Sequence, residues 1–149
     1  MKFIKAAMLG AVLAAGAVYA EDKVMPTDPA AIARQALMDS NGAAIGVLAD
    51  MAGGKTAYDA AAAEAAKAAL VANMGNIEAT FMDQGAADPA SAARPEIWAN
   101  WDTFLAKATA GIDAAGALGV SSAESIGAGM EALGGSCKGC HSDFKMKKE

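Results

Sequence analysis

This 149-residue chain predicts an all-α fold, an antiparallel four-helix bundle. Three observations carry that expectation. Apolar residues recur with the 3.6-residue period of a helix in four separate stretches, and nowhere do they alternate convincingly as in a strand. Each stretch is preceded by a helix start signal. The composition also points to helices: 41 residues are alanine, and the large apolar residues number only about 40, a thin core suited to close helix packing. The length is that of one domain.

The first twenty residues stand apart. Lys2 and Lys5 precede an uncharged run from Ala6 to Tyr19, and small residues at Val18 and Ala20 flank Tyr19 ahead of Glu21 and Asp22. This is the pattern of a secretory signal, with cleavage expected after Ala20. The apolar run is shorter than the roughly 20 residues a membrane-spanning helix needs, so no span is expected after cleavage. Residues 1–20 are therefore read as a cleaved leader, residues 21–149 as the domain, and the periplasm as the destination. Loss of Lys2 and Lys5 leaves 10 basic residues against 17 acidic ones, a formal charge of −7. Such a chain repels phosphate backbones, and nucleic acid is excluded as a partner.

The first helix is expected to open at Asp28-Pro29, where an aspartate caps free amides and proline fits the first turn. Its apolar face is read as Met38, Ile45 and Leu48, and its end near Gly53-Gly54. The second is expected near Thr56 with Asp59 in a capping box. An alanine run follows, and then a stripe of Leu70, Met74, Ile77 and Phe81. A loop with Gly85, Pro89 and Ser91 joins Asp83 to Arg94. The third helix is expected from Pro95-Glu96, burying Ile97, Trp101, Phe104, Leu105, Ala108 and Ile112 with Trp98 beside them. The fourth is expected at Ser121 with Glu124 completing a capping box. Its stripe of Ile126, Met130, Leu133, Cys137, Cys140 and Phe144 turns both cysteines inward.

One motif carries chemistry: Cys137-Lys138-Gly139-Cys140-His141. Two cysteines and a single histidine are too few for a four-ligand Cys/His zinc site, and a redox disulfide of this spacing belongs to a βαβ setting absent here. The run is instead the pattern for covalent attachment of a c-type haem. Two thiols at i and i+3 share one helix face and can add across the haem vinyl groups. His141 then stands ready to ligate the iron from the proximal side.

With that motif near the C-terminus, Arg34-Gln35-Ala36-Leu37-Met38 in the first helix and Arg94-Pro95-Glu96-Ile97-Trp98 before the third, the chain resembles the class II c-type cytochromes. These are the cytochromes c′ and their low-spin relatives. The resemblance implies a four-helix bundle holding one covalent haem c at one end, and one-electron transfer between redox partner proteins without substrate turnover. It places the distal residue at Met38, which ligates iron in the low-spin members. In cytochromes c′ the same position leaves a five-coordinate iron open to NO or CO. The segment Leu37 to Gly42 is closer to the low-spin members, so His141 and Met38 are the expected metal ligands. Lys145 stands where the family usually has arginine, which weakens the gas reading. Arg34 is expected to pair with a haem propionate, against the plainer role of a solvated helix charge. The resemblance also implies a homodimer through the first two helices.

Lys138, Lys145, Lys147 and Lys148 gather at the haem-bearing end of an otherwise acidic chain. They suit a docking patch for a redox partner, or simply complement the dipole of a last helical turn. Four other methionines, Met51, Met74, Met82 and Met130, are read as core filling.

Overall fold

A computed structural model describes residues 24–147, so the expected leader lies outside the described residues. Six helical segments make four long arms: α1 (Pro29–Ala52), α2 (Ala60–Gly75) continued by α3 (Ile77–Met82), α4 (Glu96–Ala99) leading into α5 (Trp101–Ala117), and α6 (Ala123–Phe144). Among the described residues no helix is long and apolar enough to cross a membrane.

Local chemistry explains where these elements begin and break. Asp28 caps α1, its side chain accepting from Ala31 N at 3.0 Å with Pro29 in the first turn. Asp59 caps α2 itself, accepting from Ala62 N at 2.8 Å, so the expected Thr56 start is three residues early. The second arm breaks at Asn76, after Gly75, two poor helix formers in succession. The third breaks at Asn100, at φ −130° and ψ 48°, whose side-chain amide donates to Glu96 O at 3.1 Å. For α6 the capping box is formed one residue later than expected. Ser122 and Ser125 exchange bonds, Ser125 N to Ser122 Oγ at 3.2 Å and Ser122 N to Ser125 Oγ at 3.0 Å. Hydroxyls on both sides let the two serines replace the Ser121–Glu124 pairing.

Leu48, Leu70, Ile97, Leu118, Ile126 and Leu133 are the largest fully buried side chains. Each contributes roughly 1.5–3 kcal/mol by leaving water. Alanines 44, 63, 66, 108 and 115 fill the spaces between them and let the helices approach closely. Phe104 centres an aromatic group at one end, with ring centroids 5.2 Å from Phe81, 5.4 Å from Trp101 and 5.4 Å, edge-on, from Phe144. Phe144 thus packs against the bundle.

Two connections shape that end. The loop from 83 to 95 is tied to the start of α1 by carboxylates: Asp88 Oδ2 accepts from Thr27 N at 2.6 Å and Asp28 N at 2.9 Å, and Asp28 Oδ2 accepts from Ala86 N at 3.1 Å. Gly85 turns this loop at φ 68°, and a Cβ there would collide with the Asp28 carboxylate. The end of α6 is stapled to the same loop, with Arg94 N donating to Phe144 O at 3.0 Å and Met146 N to Ala92 O at 2.8 Å.

Candidate functional site

Cys137 and Cys140 lie one turn apart on α6, both half-buried and both packed against the core, as their inward stripe predicts. His141 follows with its ring more open to solvent. Partial burial pushes the Cys140 thiol up and pulls the His141 imidazole down, with the like charge of Lys145 acting further on His141. A neutral imidazole is the form that binds a metal.

Met38 comes from α1, half-buried and packed on the same core. Its height follows from the far end of the helix pair. Gly127 of α6 sits against Ala52 of α1, so that a methyl on its Cα would lie 3.9 Å from the Ala52 Cβ. The two helices run in opposite directions with the same rise of about 1.5 Å per residue. Met38 is as far back from Ala52 as His141 is forward from Gly127, which puts the two on one level. By the same reckoning Asn41 is level with Lys138.

The inward line of α1 differs from the expected one. Beyond the first turn its buried positions are Arg34, Asn41, Ala44, Leu48 and Met51, with Met38 and Ile45 at the margin. Two polar side chains therefore occupy a line that the apolar period assigned to methionine and isoleucine. Arg34 is only 4% exposed. Its Nη1 donates to Asp83 O at 2.6 Å, and its guanidinium carbon lies 5.2 Å from the Trp98 ring and 5.9 Å from the Phe81 ring. Trp98 Nε1 in turn donates to Phe81 O at 2.8 Å. Arg34 and Trp98 together hold the chain as it leaves α3. Burial pulls the guanidinium's affinity for its proton down, opposed by the charges of Asp28 and Asp83. Two atoms on this line have no partner, Arg34 Nε and Asn41 Oδ1.

Lys107 was not singled out by the sequence. Its Nζ donates to Gly139 O at 2.8 Å and pairs with Asp143 Oδ2 at 2.8 Å, bracketing Cys140 from α5. Only its height on the third arm, opposite the motif, could have signalled it.

These residues fit a covalently held haem. Two half-buried thiols stand on one helix with an imidazole beside them, Met38 on α1 comes at the imidazole's level by residue count, and a buried guanidinium keeps an unused donor.

A family model described as Cytochrome C' matches residues 30–145. The chain belongs to the cytochrome c′ family. It is 37% identical to cytochrome c-556 of Agrobacterium fabrum, over 99% of this chain and 97% of that protein. In structure it is similar to cytochrome c′ from Rhodobacter Spheriodes, with TM-score 0.72 and 32% identity over 80% of this chain and 96% of that one. It is also similar to a ferrous arginine-to-lysine variant of cytochrome c prime from Alcaligenes xylosoxidans with bound NO. There the TM-score is 0.70 and the identity 28%, over 80% and 94% of the two chains. The expected class is thereby met: a class II c-type cytochrome, a four-helix bundle carrying covalent haem c.

Proposed function

We propose that this cytochrome is a periplasmic one-electron carrier with a six-coordinate, methionine-ligated haem. In this reading Cys137 and Cys140 form the two thioether links, His141 is the proximal ligand, Met38 the distal ligand, and Arg34 turns its unused Nε toward a propionate. The observation that carries it is the common level of Met38 and His141 on α1 and α6. The likeness to cytochrome c-556 over nearly the whole chain favours the same branch. A haem bound by these residues would supply the one-electron chemistry through its ferrous and ferric states. The chain's own residues do the rest. A soft neutral thioether keeps the ligand set constant in both oxidation states, so little rearranges when an electron arrives. Phe104, Phe144 and Trp101 keep water from the core side. Exposed Lys138, Lys145 and Lys147 offer an acidic redox partner a docking side, whereas Lys107 is withdrawn into its pair with Asp143. Lys148 lies outside the described residues. On the outer side of α1, Ile32 and Val47 remain 47% and 42% exposed, which suits a homodimer through the first two helices.

The reading is tested by the optical or magnetic spectrum of the matured protein beside Met38→Ala. Low-spin iron that turns high-spin on substitution supports it, and a high-spin wild-type spectrum unmoved by the substitution overturns it. A second reading, a five-coordinate site for NO or CO, draws on the NO-bound neighbour. A wild-type protein that takes up CO as readily as Met38→Ala would favour it.

A further inference from the structure

Asn41 breaks two rules at once. It is a polar residue on the inward line of α1, only 6% exposed, and its Oδ1 is sealed from solvent without a hydrogen-bond partner. A buried acceptor left without a donor is strongly disfavoured, and an apolar side chain of similar volume would avoid the penalty. The other orphan on this line cannot satisfy it, because Arg34 Nε starts seven residues, about 10 Å, away along the helix. Nor does Ser40, whose hydroxyl accepts from Asn73 Nδ2 at 2.7 Å, donate to it.

What stands next to Asn41 is Met38. The two are three residues apart on one helix, a spacing that brings Cβ atoms to about 5–6 Å and side chains into contact range. Asn41 is level with Lys138, between the two cysteines in height, and so one turn from the Met38–His141 level. A half-turn of its amide exchanges Oδ1 for Nδ2 and presents a donor on the sealed side.

We infer that Asn41 is a positioning residue for Met38: its amide N–H donates to the Met38 thioether when that sulfur is directed at the iron, holding the methionine in the axial place. A coordinated thioether keeps one lone pair, which is the acceptor. The bond forms on the side of the sulfur away from the metal and so resists rotation of the methionine out of the site. The inference rests on the Met38 ligation proposed above, and its test separates the two.

Matured ferric protein is titrated with imidazole, which competes with Met38 for the iron, while the long-wavelength charge-transfer band of the methionine–iron bond is followed. Asn41→Leu is expected to shift that band and to bind imidazole about fivefold more tightly than wild type, the effect of one lost neutral hydrogen bond. Asn41→Gln, which keeps the amide, is expected to stay close to wild type. Asn41→Ala gives the same direction as Leu should the Leu variant fail to accumulate. Equal imidazole affinity and an unmoved band in Asn41→Leu overturn the inference and leave Met38 ligation intact. Equal weakening in Leu and Gln also overturns it, because packing alone would then explain the effect. A wild-type protein without the band overturns the ligation reading and this inference with it.

Discussion

At one end of the bundle the polypeptide completes itself; at the other it does not. Where α1 runs into α2 and α5 into α6, Leu48, Met51, Ala63, Leu118, Val120 and Ile126 are all buried, and Tyr58 Oη donates to Val120 O at 2.7 Å across the two connections. The N-termini of α2 and α6 are capped there by Asp59 and by the Ser122–Ser125 box. At the end holding Cys137 to His141, Phe81, Phe104 and Phe144 are buried, but Met38, Trp98, Trp101, Cys137 and Cys140 are only half-buried and the two orphaned polar atoms both occur. Buried polar groups are almost always paired. A pair of exceptions on one helix line, beside the haem motif, marks where this fold relies on its cofactor rather than on side chains alone.

The largest effect follows from removing the motif. Cys137→Ser combined with Cys140→Ser is expected to abolish covalent haem altogether, read as loss of haem staining on a denaturing gel. The contrast between the ends sharpens if tyrosine-reported packing at Tyr58 survives in that variant while the tryptophan signal of Trp98 and Trp101 changes. If both ends loosen together, they are not independent.

Next in size is a cavity at the self-completed end. Ile126 on α6 is fully buried in the core, and Ile126→Ala is expected to cost about 2–5 kcal/mol in urea unfolding of the matured protein. The methionine–iron spectrum should not move. A spectral change equal to that of Met38→Ala would show the two ends to be coupled through the α1–α6 pair.

Gly85→Ala probes the loop that closes the haem end. Its φ of 68° and the close approach of Asp28 both exclude a side chain. The expected cost is about 1–3 kcal/mol, again by urea, with local amide protection lost around residues 83–90 before the rest of the bundle. Unchanged stability would mean that this loop adds little to the closure of that end.

How much of this was legible in the sequence depends on which kind of order a residue reports. Asp28-Pro29 announced the start of α1, and the Cys137–His141 run announced its chemistry, because both are local rules with fixed spacing. The breaks at Asn76 and Asn100 were not read, since the apolar stripe continues across them: Met74 and Ile77 are both buried, as are Ile97 and Phe104. Periodicity reports which side faces inward and is blind to a helix that stops and resumes. The shift of α1's buried line from Met38 and Ile45 toward Arg34 and Asn41 was hidden for another reason. Hydropathy assigns arginine and asparagine to water, and only tertiary partners such as Trp98 and the carbonyl of Asp83 make burial of Arg34 affordable. The heptad spacing of Arg34, Asn41 and Leu48 was the one available signal.

The smallest effect is that of acid, and it discriminates between the ends by location rather than size. Backbone amides hold the carboxyls of Asp28 and Asp88 below the usual range: Ala31 and Ala86 for the first, Asp28 N and Thr27 N for the second. A carboxyl whose folded value is depressed contributes stability that is present above its unfolded value of about 4 and is lost as pH falls through the lower folded value. As pH falls below about 4 the amide protons of Thr27, Asp28, Ala31 and Ala86 should therefore lose protection as both carboxyls take up protons. At the other end the helix-start carboxyls are those of Asp59, which caps α2, and Glu124, held below its usual range by hydrogen bonds in the first turn of α6, so acid effects there should stay within those two helix starts while the amides of the buried Leu48 and Leu118 keep their protection. Asp88→Asn keeps the side chain's shape but replaces the carboxylate with a neutral amide, and its exchange at Thr27 and Asp28 should be faster and nearly independent of this titration. If those amides instead keep their acid dependence in Asp88→Asn, the loop is held by its apolar contacts, and the carboxylates follow its closure rather than secure it.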